Sequence, residues 1–278
     1  MNGDPLLIQP ETLGHGTGVA VTVVADAASL TQVFADMLLS EYREARAAGR
    51  DQVLFIVPVG PVGQYDLLAA RCNAERLPLS NLTLIGMDEY LAPGGDWIAA
   101  EDPRSFRGHM RRHLLDAIDP VLAPRVIFPH PNRPQEIAAM ITACGGVDVS
   151  FGGVGIAGHV AFNEPPEPGE VLDVDAFADQ PTRIVLLSRE TRTINAVTVA
   201  RGAIDLIPES AVTVGMREIL GAHRLRLFLN RPWQCGIVRK LLHGPVTPAV
   251  PASYAQRHPD AALVITRDVT QSPMPVLA

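Results

Sequence analysis

The sequence predicts an α/β fold in which helices cover both faces of a largely parallel sheet. Short apolar runs rich in β-branched residues recur along the chain, and stretches with helical periodicity separate them. The 278 residues, 47% hydrophobic and 19% charged, are enough to bury a sizeable core, and neither repeats nor low-complexity linkers interrupt the pattern. We therefore expect one domain that spans residues 1–278.

The predicted elements alternate between strands and helices. The first helix carries Val33, Met37 and Leu38 on one stripe and ends near Gly49, a residue type that commonly follows the last helical turn. Each later helix follows a loop that leaves a strand. We predict strands at residues 19–24, 53–57, 82–85, 147–151, 184–187, 212–214, 225–229 and 262–265, and helices at residues 31–50, 64–75, 104–118, 134–143 and 234–242.

The charge balance excludes several classes of partner. Lys and Arg total 23 against 30 Asp and Glu, and the net charge of −7 leaves no basic surplus for nucleic acid or an anionic membrane. The N-terminus lacks a signal-peptide pattern, and no apolar stretch approaches the roughly 18 residues of a membrane span. The 3 cysteines never stand in CxxC spacing, which favours a reducing compartment. We expect a cytoplasmic protein that binds neither nucleic acid nor membrane.

Two adjacent carboxylates follow a predicted strand in the segment Met87-Asp88-Glu89-Tyr90. At the carboxyl end of a strand an acid is partly dehydrated, and its pKa can rise toward the working pH of a general base. A solvated turn or a helix cap is the alternative interpretation. Spacing alone does not decide between the two.

A glycine-dense turn follows another predicted strand, where residues 151–165 read FGGVGIAGHVAFNEP. The glycines let backbone approach a ligand, and the turn then delivers His159, Asn163 and Glu164. A lone His in such a turn is more often a structural hydrogen-bonding residue. An imidazole, an amide and a carboxylate together on one loop favour acid–base chemistry.

A third glycine-containing junction lies at residues 57–65, which read VPVGPVGQY. Gly60 and Gly63 precede a predicted helix, whose first amide groups would face an anion. The spacing matches neither the Walker A pattern nor GxGxxG, so a structural turn is the alternative here as well.

These segments make the sequence similar to the glucosamine-6-phosphate deaminase/isomerase family. The similar features follow the family's order over nearly the full chain, and the most specific of them is GHVAFNEP at residues 158–165. The related phosphogluconolactonases share only its first part. The resemblance implies a three-layer αβα sandwich with a mostly parallel central sheet, as in glucosamine-6-phosphate deaminase and ribose-5-phosphate isomerase. It also implies a homo-oligomer.

The resemblance further implies an aldose–ketose isomerisation with loss of ammonia and no metal or organic cofactor. Asp88 would move a proton between C1 and C2, His159 would assist ring opening, and Glu164 would orient the imidazole. The partner would be a small-molecule sugar or sugar phosphate. The residues expected to bind it are Gly60, Gly63, Glu89, Gly153, Gly155, Gly158 and Asn163.

The sequence departs from the family at two places. Ala157 stands where the family has an Asp before the Gly-His pair, so one carboxylate of the relay is missing. Residues 59–63 read VGPVG where the family usually carries Thr-Gly-Gly-Thr/Ser-Pro, and the family's phosphate-binding Arg aligns with Val197. Arg201 and Arg231 are nearby substitutes, although ordinary surface roles are the alternative for both.

Several functions stay open on this sequence. The first is a glucosamine-6-phosphate deaminase-like enzyme of amino-sugar metabolism. The second is a sugar-binding or regulatory protein with reduced catalysis, which Ala157 and the altered loop favour. A third is a related isomerase of a non-phosphorylated sugar. Lactone hydrolysis on the same fold is disfavoured by the Phe-Asn-Glu-Pro continuation.

Overall fold

The centre of the protein is a sheet of seven parallel strands. The computed structural model describes residues 4–167 and 169–273. Its strands are β1 (Ala20–Val24), β2 (Val53–Val57), β3 (Leu82–Gly86), β4 (Asp88–Tyr90), β5 (Arg125–Ile127), β6 (Val149–Gly153), β7 (Arg183–Leu186), β8 (Ser210–Thr213), β9 (Arg224–Leu229) and β10 (Ala261–Thr266). The central order is β1-β10-β9-β6-β2-β3-β5, and every neighbouring pair is parallel. This confirms the predicted fold class, although the prediction did not include the short edge strand β5.

Helices cover both faces of the sheet, which completes the three layers. They are α1 (Ala27–Ala47), α2 (Gln64–Glu75), α3 (Phe106–Met110), α4 (Glu136–Ala143), α5 (Val174–Ala178), α6 (Arg189–Val199), α7 (Met216–Leu220), α8 (Cys235–His243) and α9 (Arg267–Thr270). Helices α1 and α2 pack on one face through residues that include Phe34 and Leu68. Helices α4 and α8 contribute Ile137 and Val238 to the core on the other face.

Strand β2 shows how the sheet separates two cores. Leu54 and Ile56 belong to the core that contains α4 and α8, whereas Val53, Phe55 and Val57 belong to the core that contains α1 and α2. Successive residues of a strand point to opposite faces, so a strand covered on both sides must be apolar throughout. The continuous apolar run in the sequence has this cause.

A smaller antiparallel sheet in the order β4-β8-β7 follows the central sheet at the end of β3. The prediction placed residues 184–187 and 212–214 in the largely parallel sheet, which is wrong. Ile184 pairs antiparallel with Val212, and Ile184 and Leu186 are 48% and 79% exposed. Their apolar character resembles that of a central strand, which explains the error.

Helix boundaries differ from the prediction where side-chain caps decide them. Helix α1 begins at Ala27 because Asp26 accepts a hydrogen bond from the Ser29 amide. The predicted helix over residues 104–118 consists of α3 and a π-helical segment, Arg111–Leu115. Helices α5, α6, α7 and α9 are absent from the prediction. Among the described residues, no helix is both long and apolar enough to cross a bilayer.

Candidate active site

A cavity of about 450 Å³ opens at the carboxyl ends of four central strands. Its wall includes Val59 after β2, Asp88 after β3, Val154 after β6 and Asn230 after β9. Strands β2 and β6 lie side by side in the sheet. After β2 the chain continues to β3 on one side, and after β6 the next central strand is β9 on the other side. The cavity therefore spans the point where the strand order reverses, which is where open α/β sheets bind ligands.

Asp88 begins β4 and lines this cavity. No donor in the described part of the chain hydrogen-bonds its carboxylate. Burial, together with the neighbouring charge of Glu89, raises the pKa of Asp88 to about 8. A carboxylate with a pKa near neutral pH accepts a proton far more readily than an exposed one, so Asp88 has the character of a general base.

Glu89, which the sequence assigns to substrate binding, lies outside the cavity lining. Its side chain is fully buried and accepts hydrogen bonds from Ser105 Oγ at 2.7 Å and from the amides of Phe106 at 3.1 Å and Arg107 at 2.9 Å. The Tyr90 amide adds a bond at 2.9 Å. Glu89 therefore anchors the start of α3, the helix that brings further side chains to the cavity wall.

His159 lines the cavity from the turn after β6, and two side chains hold its ring. The Nδ1 atom lies 3.3 Å from Glu164 Oε2 and 3.2 Å from Thr191 Oγ1. Burial raises the pKa of Glu164, but the hydrogen bonds and charge of His159, with bonds from Thr191 and Ser188, outweigh burial and leave it below its ordinary value. Glu164 is therefore an anion that orients the imidazole, and Nε2 is the ring nitrogen left for a ligand.

Two glycines allow this arrangement. A Cβ on Gly155 would stand 1.8 Å from His159 Nε2, so only glycine leaves room for the imidazole. Gly158 has φ +85°, and a Cβ there would lie 3.0 Å from Ile237 and Val250. Gly60, Gly153 and Gly155 line the cavity as expected from the sequence, whereas Gly158 supports the turn from behind.

The remaining residues assigned to substrate binding, Gly63 and Asn163, also lie outside the cavity lining. Asn163 is fully buried, and its amide donates to the Val160 and Val214 carbonyls while its oxygen accepts from Arg183 at 2.7 Å. The polar atoms of its side chain therefore hydrogen-bond to backbone carbonyls and to the Arg183 side chain. Gly63 has φ +105° and is the N-cap residue that precedes α2. Both residues support the site from outside the cavity lining.

Several lining residues are absent from the sequence prediction, among them Arg104, His109, Asn195 and Asn230. The signal for Asn195 is its position four residues after Thr191, which places both on one face of α6. That signal is useful only once α6 is recognised as a helix. Arg231, named as a substitute cation, lines the cavity, whereas Arg201 lies outside its lining.

The chemistry available at the site is proton transfer. It combines a carboxyl with a raised pKa, an imidazole held by an anion, and hydrogen-bonding groups around them that include two arginines. Within residues 4–167 and 169–273, no three His, Cys, Asp or Glu side chains gather closely enough to hold a metal ion.

Known proteins of similar sequence identify the family. The glucosamine-6-phosphate deaminase of Lachnoclostridium phytofermentans is 31% identical over 222 residues, which cover 73% of this chain and 82% of that one. This chain belongs to the glucosamine-6-phosphate deaminase family. The family member from Rhodopirellula baltica is 29% identical over 254 residues, covering 89% of this chain and 93% of the relative. No family model matches the chain.

Solved structures agree with the family assignment. A monomeric glucosamine-6-phosphate deaminase matches with a TM-score of 0.74 and 25% identity, covering 90% of this chain and 98% of that structure. The 6-phosphogluconolactonase of Thermotoga maritima matches with a TM-score of 0.60 and 12% identity, covering 90% of this chain and all of the other. At 12% identity, the match to the 6-phosphogluconolactonase shows only that the two proteins share a fold. Both agree with the resemblance that the sequence motifs indicate.

Proposed function

We propose that this protein catalyses a glucosamine-6-phosphate deaminase-like reaction, in which an amino sugar and water yield a ketose and ammonia. The observation that carries the proposal is the placement of Asp88 and His159 on one cavity at the reversal point of the sheet. The family assignment supports the same reaction class. The role of each residue follows from its surroundings.

Asp88 transfers the proton in this proposal. Its carboxylate removes the proton from C2 of the open-chain amino aldehyde, which gives an enolamine, and returns a proton to C1. The resulting imine at C2 takes up water and releases ammonia. The raised pKa of Asp88 makes the carboxylate a strong base for a weakly acidic carbon.

His159 opens the sugar ring in this proposal. The imidazole transfers a proton between the anomeric hydroxyl and the ring oxygen, which converts the closed sugar to the aldehyde. Glu164 and Thr191 fix Nδ1, so the exchange takes place at Nε2. Glu164 also stabilises the imidazolium that forms during the transfer.

A binding protein with reduced catalysis is the second candidate, and Ala157 is the observation that favours it. Where the family has a second carboxylate next to the His, this chain offers an alanine. Thr191 supplies the second contact to Nδ1, and Glu164 supplies the charge. A relay with one carboxylate still has an oriented imidazole, so we favour the enzyme.

Turnover in deuterium oxide tests the proposal. The purified protein is incubated with glucosamine 6-phosphate and, separately, with glucosamine, and ammonia and ketose are measured. We expect ammonia and ketose in equal amounts from at least one sugar, with deuterium at C1 of the ketose because the enolamine is reprotonated there. Absence of ammonia from both sugars, with binding retained, would leave the binding function.

We also propose that the chain forms a homo-oligomer in the cytoplasm, as its sequence leads us to expect. Light scattering coupled to size exclusion measures the assembly directly. A mass near 29.8 kDa would show a monomer and contradict the assembly proposal.

A further inference from the structure

One of the two arginines on the described cavity wall, Arg104, is occupied by partners within the protein. Its Nε donates to Asp102 Oδ1 at 2.9 Å and its Nη2 to Asp102 Oδ2 at 2.5 Å. Its remaining nitrogen, Nη1, donates to the Leu206 carbonyl. The guanidinium is thus neutralised by a carboxylate, and all three of its nitrogens are engaged.

His109 adds a polar group but no charge. Burial, with the nearby charges of His113 and Arg112, lowers the pKa of His109 to about 4. Its Nε2 atom is buried and has no hydrogen-bond partner among the described residues. A buried nitrogen without a partner is costly, and a ligand hydroxyl in the cavity would satisfy it. The neutral ring would bind a hydroxyl group and would not neutralise an anion.

The loop after β2 offers few groups that hold a phosphate. Its lining residues 58–62 carry no hydroxyl or charged side chain, two of them, Pro58 and Pro61, have no amide hydrogen, and the first-turn residues of α2 lie outside the lining. Across the opening stands Val199, which is 69% exposed. An apolar rim of this kind provides neither hydroxyl donors nor charge.

Arg231 is the remaining cation on the described wall, and it is exposed to solvent. An exposed ion pair changes an equilibrium by about fivefold or less. Asp88 on the same wall is an acid that repels a second anion when ionised. A phosphate dianion needs several charge-assisted hydrogen bonds to leave water, and this cavity has too few.

We propose that the cavity takes an amino sugar whose hydroxyl groups are free, so that the preferred substrate carries no phosphate. This inference rests on the proposed function and narrows its substrate class. His109 Nε2 and the side chain of Asn230 are the groups that would bind the distal hydroxyls. Arg104 keeps the wall in place through Asp102.

Calorimetry with two stable analogues tests this inference. The probes are 2-amino-2-deoxyglucitol and its 6-phosphate, which lack the reactive carbonyl and bind without turnover. We expect the phosphorylated analogue to bind no more tightly than the unphosphorylated one. Tighter binding of the 6-phosphate contradicts the inference, as does failure of both compounds to bind at millimolar concentration.

Charge can be added to the wall as a converse test. Val199→Arg places a guanidinium at the opening, and we expect it to favour the phosphorylated analogue by at least tenfold relative to the unmodified protein. Leu186→Arg on β7 is the matched control, because Leu186 is also an exposed apolar residue, at 79%, but lies outside the cavity lining. If both variants keep the unmodified protein's preference between the two analogues, the charge of the cavity wall does not set that preference and the inference is contradicted.

Removal of the unpartnered imidazole completes the test. His109→Leu should weaken binding of the unphosphorylated analogue by about tenfold, whereas His223→Leu, which removes an exposed ring outside the cavity lining, should change it by less than threefold. Turnover separates the two proposals. A protein that deaminates glucosamine 6-phosphate with a higher kcat/KM than glucosamine keeps the proposed function and refutes this inference.

Discussion

Asp88 and Glu89 are adjacent acids with opposite surroundings. Asp88 faces the cavity and has no hydrogen-bond donor among the described residues, whereas Glu89 accepts four hydrogen bonds from the start of α3 and from Tyr90. Neighbouring residues of a strand point to opposite sides, so one pair of carboxylates serves both a cavity and its supporting wall.

The difference shows how a site gains a strong base without losing stability. A carboxylate that accepts many hydrogen bonds is stabilised as an anion, and one without donors in a buried place is not. Glu89 fixes α3, which carries Ser105, Phe106 and His109 to the cavity wall. Asp88 is left without partners, and burial together with the charge of Glu89 raises its pKa to about 8.

Removing the charge of Asp88 should have the largest effect. Asp88→Asn keeps the size of the side chain but cannot accept the C2 proton, so kcat/KM should fall by about 10³-fold. Steady-state ammonia release measures this, with circular dichroism to show that the fold is retained. The control Asp205→Asn changes an exposed acid outside the cavity and should keep full activity. Activity of Asp88→Asn within threefold of the unmodified protein would remove Asp88 from the mechanism.

A change at Glu89 should affect the stability of the cavity wall and not the proton transfer. In Glu89→Gln one carboxylate oxygen is replaced by an NH2 group, which cannot accept hydrogen bonds from the donors at the start of α3. Because those buried donors lose their acceptor, we expect the free energy of unfolding to fall by about 3 kcal/mol. Urea denaturation measures the change. Glu136→Gln removes an acid from an exposed pair with Arg133 and should cost less than about 1 kcal/mol. Equal stability of the two variants would show that Glu89 does not anchor α3.

The pH dependence of stability separates the two acids further. A carboxyl whose pKa is raised from 3.8 to about 8 on folding holds its proton more tightly in the folded protein. Its contribution to stability is therefore greatest at low pH and is lost as the pH rises toward 8. Between pH 6 and pH 8, Asp88→Asn should gain about 2 kcal/mol relative to the unmodified protein. Thermal melts at several pH values measure this, and a constant difference would refute the raised pKa.

Much of the central sheet could be predicted from the sequence because its strands are continuous apolar runs. The smaller sheet could not, since the exposed apolar residues Ile184 and Leu186 imitate a buried strand. The sequence motifs indicated Asp88 and His159, which both line the cavity. Glu89 belongs to the same motif as Asp88, yet it lies behind the cavity wall. Sequence adjacency does not reveal which of two neighbouring acids faces a cavity; that depends on the antiparallel pairing of β4 with β8.

His159, unlike Asp88, is held by a neighbouring carboxylate, that of Glu164. Removing the charge of this carboxylate should have the smallest effect on activity. Glu164→Gln keeps the size of the side chain but removes the anion beside Nδ1, and kcat/KM should fall by about tenfold because the imidazolium is less stabilised. Glu190→Gln changes an exposed acid at the start of α6 and should have no effect. The opened aldehyde form of the substrate bypasses ring opening, so the defect should disappear with an analogue that cannot cyclise. A defect of equal size on that analogue would place Glu164 in proton transfer at carbon instead.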